Sequence, residues 1–419
     1  MAATVLLVAA LVNSVLLALS MLPAAVWAVF ALFLLMLTFA AYLARGRKQE
    51  PVPPGRRFVI LVPAHNEELL IGEVVRGIFD QDYPRDLYTL YVIADNCSDT
   101  TAQRAEEAGA TVLVRTSETH RGKGWALEWA LDRIREAETP FDAVIIMDAD
   151  SRLSSNFLAS MNSALVRGWH AVQGFYGVMN VEESWRTRLM AVALALVHYT
   201  KPLGRRRLGL TVGLKGNGMC FSAHALKTVP WSGDSITEDI EYTLRLARAG
   251  IQVHFDPDAV VLAQMPVSGR QAASQRERWE GGRYGLLKRA VALLGEGVKR
   301  RDLRIADCGF ELLIPPFVEL MAVPILMLLL SAGWMLVTAS EAARISLTVW
   351  TAILSLLFLY LILALAVAKV PLRTAAALLA APLYAGWKFV LYAKMLLRGG
   401  PKGWVRTERR ANDKPSGTT

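Results

Sequence analysis

Two acidic groupings and one arginine-rich motif in this 419-residue chain have the residue types that handle activated phosphates and sugars. Asp148-Ala149-Asp150 follows the apolar run Val144–Met147, so two carboxylates at i and i+2 leave a strand where it breaks into a loop. Such a pair suits a hard divalent cation, Mg2+ or Mn2+, that carries a diphosphate. The plainer alternative is a loop with a helix cap. Thr237-Glu238-Asp239 opens a helix expected over Ile240–Ala249. There Thr237 reads as an N-cap and the acids complement the helix dipole, while the same rigid start is a place to hold a catalytic carboxylate. Gln275-Arg276-Glu277-Arg278-Trp279 reads in two ways. It is either an amphipathic helix lying along lipid headgroups, or Arg278 on a diphosphate with Trp279 walling a sugar site. The chain has no GxxxxGKS/T loop and no GxGxxG after its first strand, so bound phosphates would need a cation and Arg or Lys. The six histidines show no HExxH-type spacing.

These groups need a scaffold, and the surrounding pattern supplies one. Phe58–Pro63, Tyr88–Asp95, Thr111–Arg115 and Ala143–Asp148 read as strands, and Glu67–Phe79, Thr100–Ala108 and Trp125–Ala137 as amphipathic helices between them. This order predicts an α/β domain with a mostly parallel sheet and helices on both faces. Sheets of that kind bind ligands at the carboxyl ends of their strands. Those ends carry Pro63-Ala64-His65-Asn66-Glu67, Asp95-Asn96 and Asp148-Ala149-Asp150, which could converge on one crevice. Gly216-Asn217-Gly218 reads as a tight turn.

Composition adds a second environment. Lys and Arg number 46 against 37 Asp and Glu, a formal charge of +9, with 53% hydrophobic and 20% charged residues. Charge-poor stretches at Thr4–Ala44, Phe310–Ser340 and Ile345–Arg398 flank a block of ordinary globular composition, Arg45–Gly309. That distribution excludes a simple soluble enzyme and a pure transporter. The basic residues beside apolar spans, such as Arg45, Arg47 and Lys48, are explained by membrane topology rather than by nucleic acid. The expected organisation is two transmembrane helices in residues 1–44, Thr4–Ser20 and Ala24–Ala44, turning at Pro23. A cytoplasmic catalytic block follows over 45–309, with an interfacial helix around 270–295. Transmembrane or re-entrant helices occupy 310–398, where Pro382 interrupts Thr374–Leu397 and one segment is re-entrant, interfacial or split at Pro382, and a basic cytoplasmic tail covers 399–419. Arg45-Gly46-Arg47-Lys48 places the block on the inner side of the cell membrane by the positive-inside rule. Cys97, Cys220 and Cys308, odd in number and without a CxxC pair, fit a reducing compartment.

Taken in order, Pro63-Ala64-His65-Asn66-Glu67, Asp95, Asp148-Ala149-Asp150, Thr237-Glu238-Asp239 and Gln275-Arg276-Glu277-Arg278-Trp279 resemble the signature of the membrane-embedded family 2 glycosyltransferases. These include the cellulose, hyaluronan and poly-N-acetylglucosamine synthases and the ceramide glucosyltransferases. The resemblance covers about Phe58 to Trp279 and, more loosely, the Trp404…Thr407 tail. It implies a GT-A (Rossmann-like) fold and an inverting single displacement from a nucleotide-activated, mostly UDP-linked sugar. Glu67 and Asp95 would hold the uridine. Lys123, in Gly122-Lys123-Gly124, would sit near the base or the phosphates, unless it is merely a solvated lysine in a glycine turn. Asp148 and Asp150 would lie at the metal-diphosphate, with Asp150 the direct ligand. Asp239 would be the general base, supported by Thr237 and Glu238, and Gln275, Arg278 and Trp279 would close over diphosphate and acceptor. The leading expectation is polysaccharide synthesis at the cytoplasmic face, the channel walls being completed by a partner subunit or a homo-oligomer. The alternative is a single transfer to a lipid acceptor, which needs only lateral access from the membrane lipids.

Overall fold

The computed structural model describes residues 2–46, 50, 52–235, 237–269, 272–273, 276–277, 281–282 and 285–398. Runs of Val, Ile and Leu too short and too continuous for an amphipathic helix become strands buried on both faces. They are β1 (Phe58–Ala64), β2 (Tyr88–Asp95), β3 (Thr111–Arg115), β4 (Ala143–Ile146), β5 (Ser151–Leu153), β6 (Ala171–Val178), β7 (Met219–Ser222) and β8 (Val253–Ala263). Together they form one 8-stranded sheet in the order β3-β2-β1-β4-β7-β6-β8-β5. Only β7 and β5 run against the other strands, which makes the sheet mostly parallel, as expected. Helices Ile71–Phe79 and Phe157–Val166 cover one face through Val75, Ile78, Leu158 and Met161. Helices Lys123–Glu136 and Glu238–Arg248 cover the other through Leu127, Leu131, Tyr242 and Leu246.

The chain leaves β1 toward β2 on one side and returns to place β4 on the other. That reversal is a topological switch point, and it opens a crevice beyond the carboxyl ends of β1 and β4. The first helix starts at Ile71 rather than at Glu67. Asn66 adopts φ 56, a left-handed conformation that Asn tolerates, so the chain turns before it coils.

At the N-terminus the expectation of two spans is corrected. Ala2–Ala44 is one helix that continues through Pro23. Its sequence near Pro23 offers no Gly, Asn or Asp to reverse the chain, and both halves lie against later helices. Asn13 accepts from Trp334 Nε1 at 3.0 Å, while Ser20 Oγ lies 2.6 Å from Ser346 Oγ and accepts from Trp350 Nε1 at 2.9 Å. At 1.5 Å per residue the helix is roughly 65 Å long, about twice a bilayer's hydrocarbon core. Its far end reaches the α/β domain, where Leu37 backbone lies so close to Gly204 that a Cβ there would collide. Among the described residues, four helices are long and apolar enough to cross a membrane: Leu7–Ala44, Phe317–Thr338, Glu341–Val367 and Leu372–Met395. The last is not split at Pro382 itself. A 3-10 segment, Ala376–Ala380, leads into helix Ala381–Arg398, whose second position Pro382 occupies without losing a bond. The expected interfacial helix lies partly outside the described residues, and the tail 399–419 wholly so. Helix Leu287–Arg300 packs Ala290 and Leu293 on Leu244 and Ala247 of the Glu238–Arg248 helix and leaves Val291 and Val298 exposed.

An ionic cluster joins the α/β domain to helix Leu303–Leu313. Arg205 is almost wholly buried, pairs with Asp307, donates to Glu311 at 3.1 Å and to the Thr211 carbonyl at 2.7 Å. Lys201 reaches the other oxygen of Glu311 at 2.5 Å. Burial raises Asp307 to about 6 despite Arg205. Glu311 falls to about 2 because Lys201 and Arg205 outweigh its burial. Removing Arg205 would strand the buried Asp307 carboxylate and leave Glu311 with Lys201 alone, so Arg205→Ala is expected to destabilise the protein by about 3–5 kcal/mol. Unfolding of the detergent-solubilised full chain measures this, and a loss under 1 kcal/mol would contradict the role given to the cluster.

Candidate active site

The carboxyl end of β4 delivers the Asp148–Asp150 turn into the crevice. Ala143–Ile146 are all buried, and the strand's last tie is Met147 N–H to the Leu61 carbonyl at 3.2 Å. The chain then turns, with Ser151 N–H donating to Asp148 O at 3.2 Å. Asn217, fully buried, straddles this turn. Its Oδ1 accepts from Asp148 N–H at 3.1 Å and its Nδ2 donates to Ser151 Oγ at 2.8 Å. Ser151 Oγ in turn donates to Asp150 Oδ1 at 3.2 Å. Buried Gln173 on β6 fixes Asn217 from behind, donating to its carbonyl at 2.8 Å and accepting from Lys215 N–H at 2.8 Å. Sequence reasoning read Asn217 as part of a tight turn and missed Gln173 altogether.

Lys123 is not in a flexible turn. It is the first residue of helix Lys123–Glu136, and its ammonium bonds the Asp148 carboxylate and the Gly216 carbonyl. Gly216 has φ +76, and a Cβ there would lie 3.6 Å from Asp239 Oδ2 and 4.0 Å from Lys123 Nζ. Both charged groups therefore crowd one glycine, which brings Asp148, Lys123 and Asp239 into a single cluster. Burial works against the charge on Lys123, but Asp148, Glu238 and Asp239 together hold its pKa above the ordinary lysine value.

Asp239 sits in the first turn of helix Glu238–Arg248, where its Oδ1 accepts from Ile240 N–H at 2.8 Å. Thr243 Oγ1 donates to the Asp239 carbonyl at 2.8 Å and accepts from Leu214 N–H at 3.0 Å, which locks the helix start to the Gly213–Gly218 loop. Thr237 holds the N-cap position without a capping bond, a correction to its expected role. Its N–H instead donates to Ser235 Oγ at 3.1 Å, and Ser235 is engaged with Glu241 at 2.9 Å. Burial pushes both acids of the pair up: Glu238 rises to about 7, aided by the charge of Asp239. Asp239 is raised as well, its burial outweighing the opposing pull of Ile240 N–H, Lys215 and Lys123.

On the other side of the crevice, Asp95 forms a buried ion pair with Arg115 at 2.5 Å, and Arg115 also donates to the His120 carbonyl at 2.7 Å. Glu67 lies at the end of β1, its N–H donating to Thr101 Oγ1 at 2.7 Å. Gln275, Arg278 and Trp279 lie outside the described residues. Gly282 packs on Thr237 so closely that a Cβ would collide with its methyl, which sets Gly282 at the start of the Asp239 helix. Among the described residues no three His, Cys, Asp or Glu side chains could enclose an ion. A turn offering one or two carboxylates and leaving the other positions to phosphate and water fits Mg2+ or Mn2+, not a caged structural metal.

A sequence model of the family described as "Glycosyltransferase like family 2" matches residues 53–282. The chain belongs to this family. A probable glycosyltransferase of Bacillus subtilis is 24% identical over 262 residues, 60% of this chain and 61% of that protein. A beta-monoglucosyldiacylglycerol synthase of Trichormus variabilis is 28% identical over 239 residues, 54% of this chain and 48% of that protein. A putative cellulose synthase of Komagataeibacter xylinus is 26% identical over 280 residues, 60% of this chain and 17% of that protein. The chain thus spans 48–61% of the length of the first two curated relatives. Among solved structures, a mannosyltransferase of Pyrobaculum calidifontis is 20% identical, covering 81% of this chain and 97% of that one, with a TM-score of 0.44.

Two outcomes follow from the geometry. Asn217→Leu removes the brace on the Asp148–Asp150 turn, and any binding of a divalent cation that this turn supports is expected to weaken by about 10–100-fold, measured by calorimetry with Mn2+. Unchanged binding would remove the brace. Burial raises both carboxyls of the Glu238–Asp239 pair, so an activity that needs either of them ionised should lose kcat/KM on an acidic limb that lies above the ordinary carboxylate range. In Glu238→Gln, Asp239 loses a like charge and its acidic limb should move to lower pH; a limb that stays put would uncouple the pair.

Proposed function

We propose that this chain is an inverting, metal-dependent transferase that moves a sugar from a nucleotide diphosphate donor to an acceptor presented by the membrane. The observation that carries this reading is the convergence of Asp148, Lys123 and Asp239 around Gly216 at the sheet's switch point. Asp150, with Asp148 beside it, would hold Mg2+ or Mn2+, which when bound spreads the charge of the departing diphosphate. Lys123 adds a fixed positive charge at the same edge. Glu67 and Asp95, at the ends of β1 and β2, line the side where the nucleoside lies, with Asp95 held in place by Arg115. Asp239 Oδ2 takes the proton of the acceptor hydroxyl as that oxygen attacks the anomeric carbon. One carboxylate suffices as base, so the bond to the diphosphate breaks in the same displacement and the anomeric configuration inverts. Burial keeps the pKa of Asp239 high enough for a useful base. Gln275, Arg278 and Trp279 would close over donor and acceptor.

The acceptor favoured here is a lipid. Beta-monoglucosyldiacylglycerol synthases match at 28% identity, and their name implies a diacylglycerol acceptor. Four membrane helices give such an acceptor lateral access without a secretion channel. Polysaccharide elongation is the second reading, favoured by the cellulose synthases among the relatives and by the Gln275–Trp279 motif. In either case the α/β domain faces the inner side of the cell membrane, as Arg45-Gly46-Arg47-Lys48 directs.

Membranes incubated with a panel of radiolabelled UDP-sugars test both readings. Chloroform-soluble label is the expected result, ethanol-insoluble polymer would select the second reading, and no transfer with any sugar would end both. Asp239→Asn should lower turnover by about 10²–10⁴-fold while Mn2+-dependent UDP binding persists. A near-normal rate would remove the base.

A further inference from the structure

Two buried guanidinium nitrogens among the described residues have no hydrogen-bond partner: Arg186 Nη1 and Arg188 Nε. They lie two residues apart on helix Trp185–Leu194, which follows the carboxyl end of β6. A buried donor left unmade costs free energy, more so on a charged group, so each calls for a missing acceptor. Arg188 has a partial answer, since its Nη2 donates to Glu182 at 2.9 Å, and Glu182 also meets Arg373 at 3.4 Å. Arg186 has no carboxylate partner among the described residues. Its guanidinium lies over the Trp185 ring at 4.3 Å and near the Trp387 ring at 5.6 Å. Gly269 closes the cage, with room for a Cβ only 3.3 Å from Arg186 Nη2 and 3.7 Å from Trp387 Nε1.

Position identifies the medium. Trp387 lies in the apolar segment Leu372–Met395, which is tied to the α/β domain through Arg373 on Glu182 and to the start of helix Phe317–Thr338 through Lys388 on Glu319, and Tyr384 packs beside Trp387 with ring centroids 5.4 Å apart. Aromatic side chains and arginines at one level are the usual furniture of a bilayer surface. Position also ties the cluster to the catalytic edge. Ala263, at the end of β8, pairs with Ser151 and with Val178 of β6, so the chain leading to Gly269 starts beside Asp150.

We propose that Trp185, Arg186 and Trp387 form a subsite for the phosphate of an anionic membrane lipid. Arg186 Nη1 donates to a phosphate oxygen, Arg188 adds a second positive charge, and the indoles rest at the level of the glycerol backbone. The subsite is distinct from the donor crevice and stands whether or not Asp239 is the base. It anchors the domain with its open edge against the bilayer.

Lipid binding to the purified full chain in detergent, followed by native mass spectrometry, tests it without any sugar donor. Phosphatidic acid should be retained, and diacylglycerol with the same tails should be retained roughly tenfold less. Arg186→Gln should lose about that advantage, and Arg186→Lys should keep most of it, which separates lost charge from lost folding. Inorganic phosphate at the same concentration should not displace the lipid. Equal retention of diacylglycerol, an unaltered preference in Arg186→Gln, or displacement by inorganic phosphate would each overturn the proposal. Loss of the preference in Arg186→Lys with normal unfolding would overturn the charge reading as well.

Discussion

The site depends on keeping like charges together. Asp148, Glu238 and Asp239 come from a strand end and a helix start that have no reason to attract one another. Lys123 brings them into one crevice, bonding Asp148 and the Gly216 carbonyl while Asp239 lies against the same glycine. In a region of low effective dielectric, unpaired carboxylates would repel each other and shed charge by taking up protons. Burial, joined at Glu238 by the charge of Asp239, still raises both carboxyls with the ammonium present. Lys123 thus offsets one of the three carboxylates, and the balance of the cluster rests on it.

The fold makes that balance rigid. The switch point between β1 and β4 opens the crevice, and the Gly213–Gly218 loop carries bonds to each element that lines it. Gln173 holds the loop from the sheet, Asn217 holds the Asp148–Asp150 turn, and Thr243 holds the start of the Asp239 helix to Leu214. Behind it, the Arg205 cluster fixes the domain to helix Leu303–Leu313, and the long first helix docks at Gly204. The catalytic edge is thus set relative to the membrane helices by buried contacts rather than by a linker.

Much of this was legible in the sequence where the signal is local. β2 and β3 fall on the expected residues because Val, Ile and Tyr alternate between clear turn signals. The Asp148–Asp150 pair and Thr237-Glu238-Asp239 announced themselves by type and position. Long-range partners were not legible. Asn217 meets Asp148 across 69 residues and Arg205 meets Asp307 across 102, and no spacing rule links such positions. Pro23 misled for a physical reason. Proline interrupts one hydrogen bond, yet a helix packed along its length against Glu341–Val367 can absorb that loss without turning back.

The direct measurement is the pH dependence of unfolding of the full chain in detergent, wild type against Lys123→Met. Carboxylates whose folded pKa is raised stabilise the fold at low pH and lose that contribution as pH rises through the folded value. Without Lys123 those values rise further, so the deficit of the variant should be largest near about pH 8 and shrink toward about pH 5. A deficit that does not change with pH would mean that Lys123 is not the counter-charge, and the account of the site would fail with it.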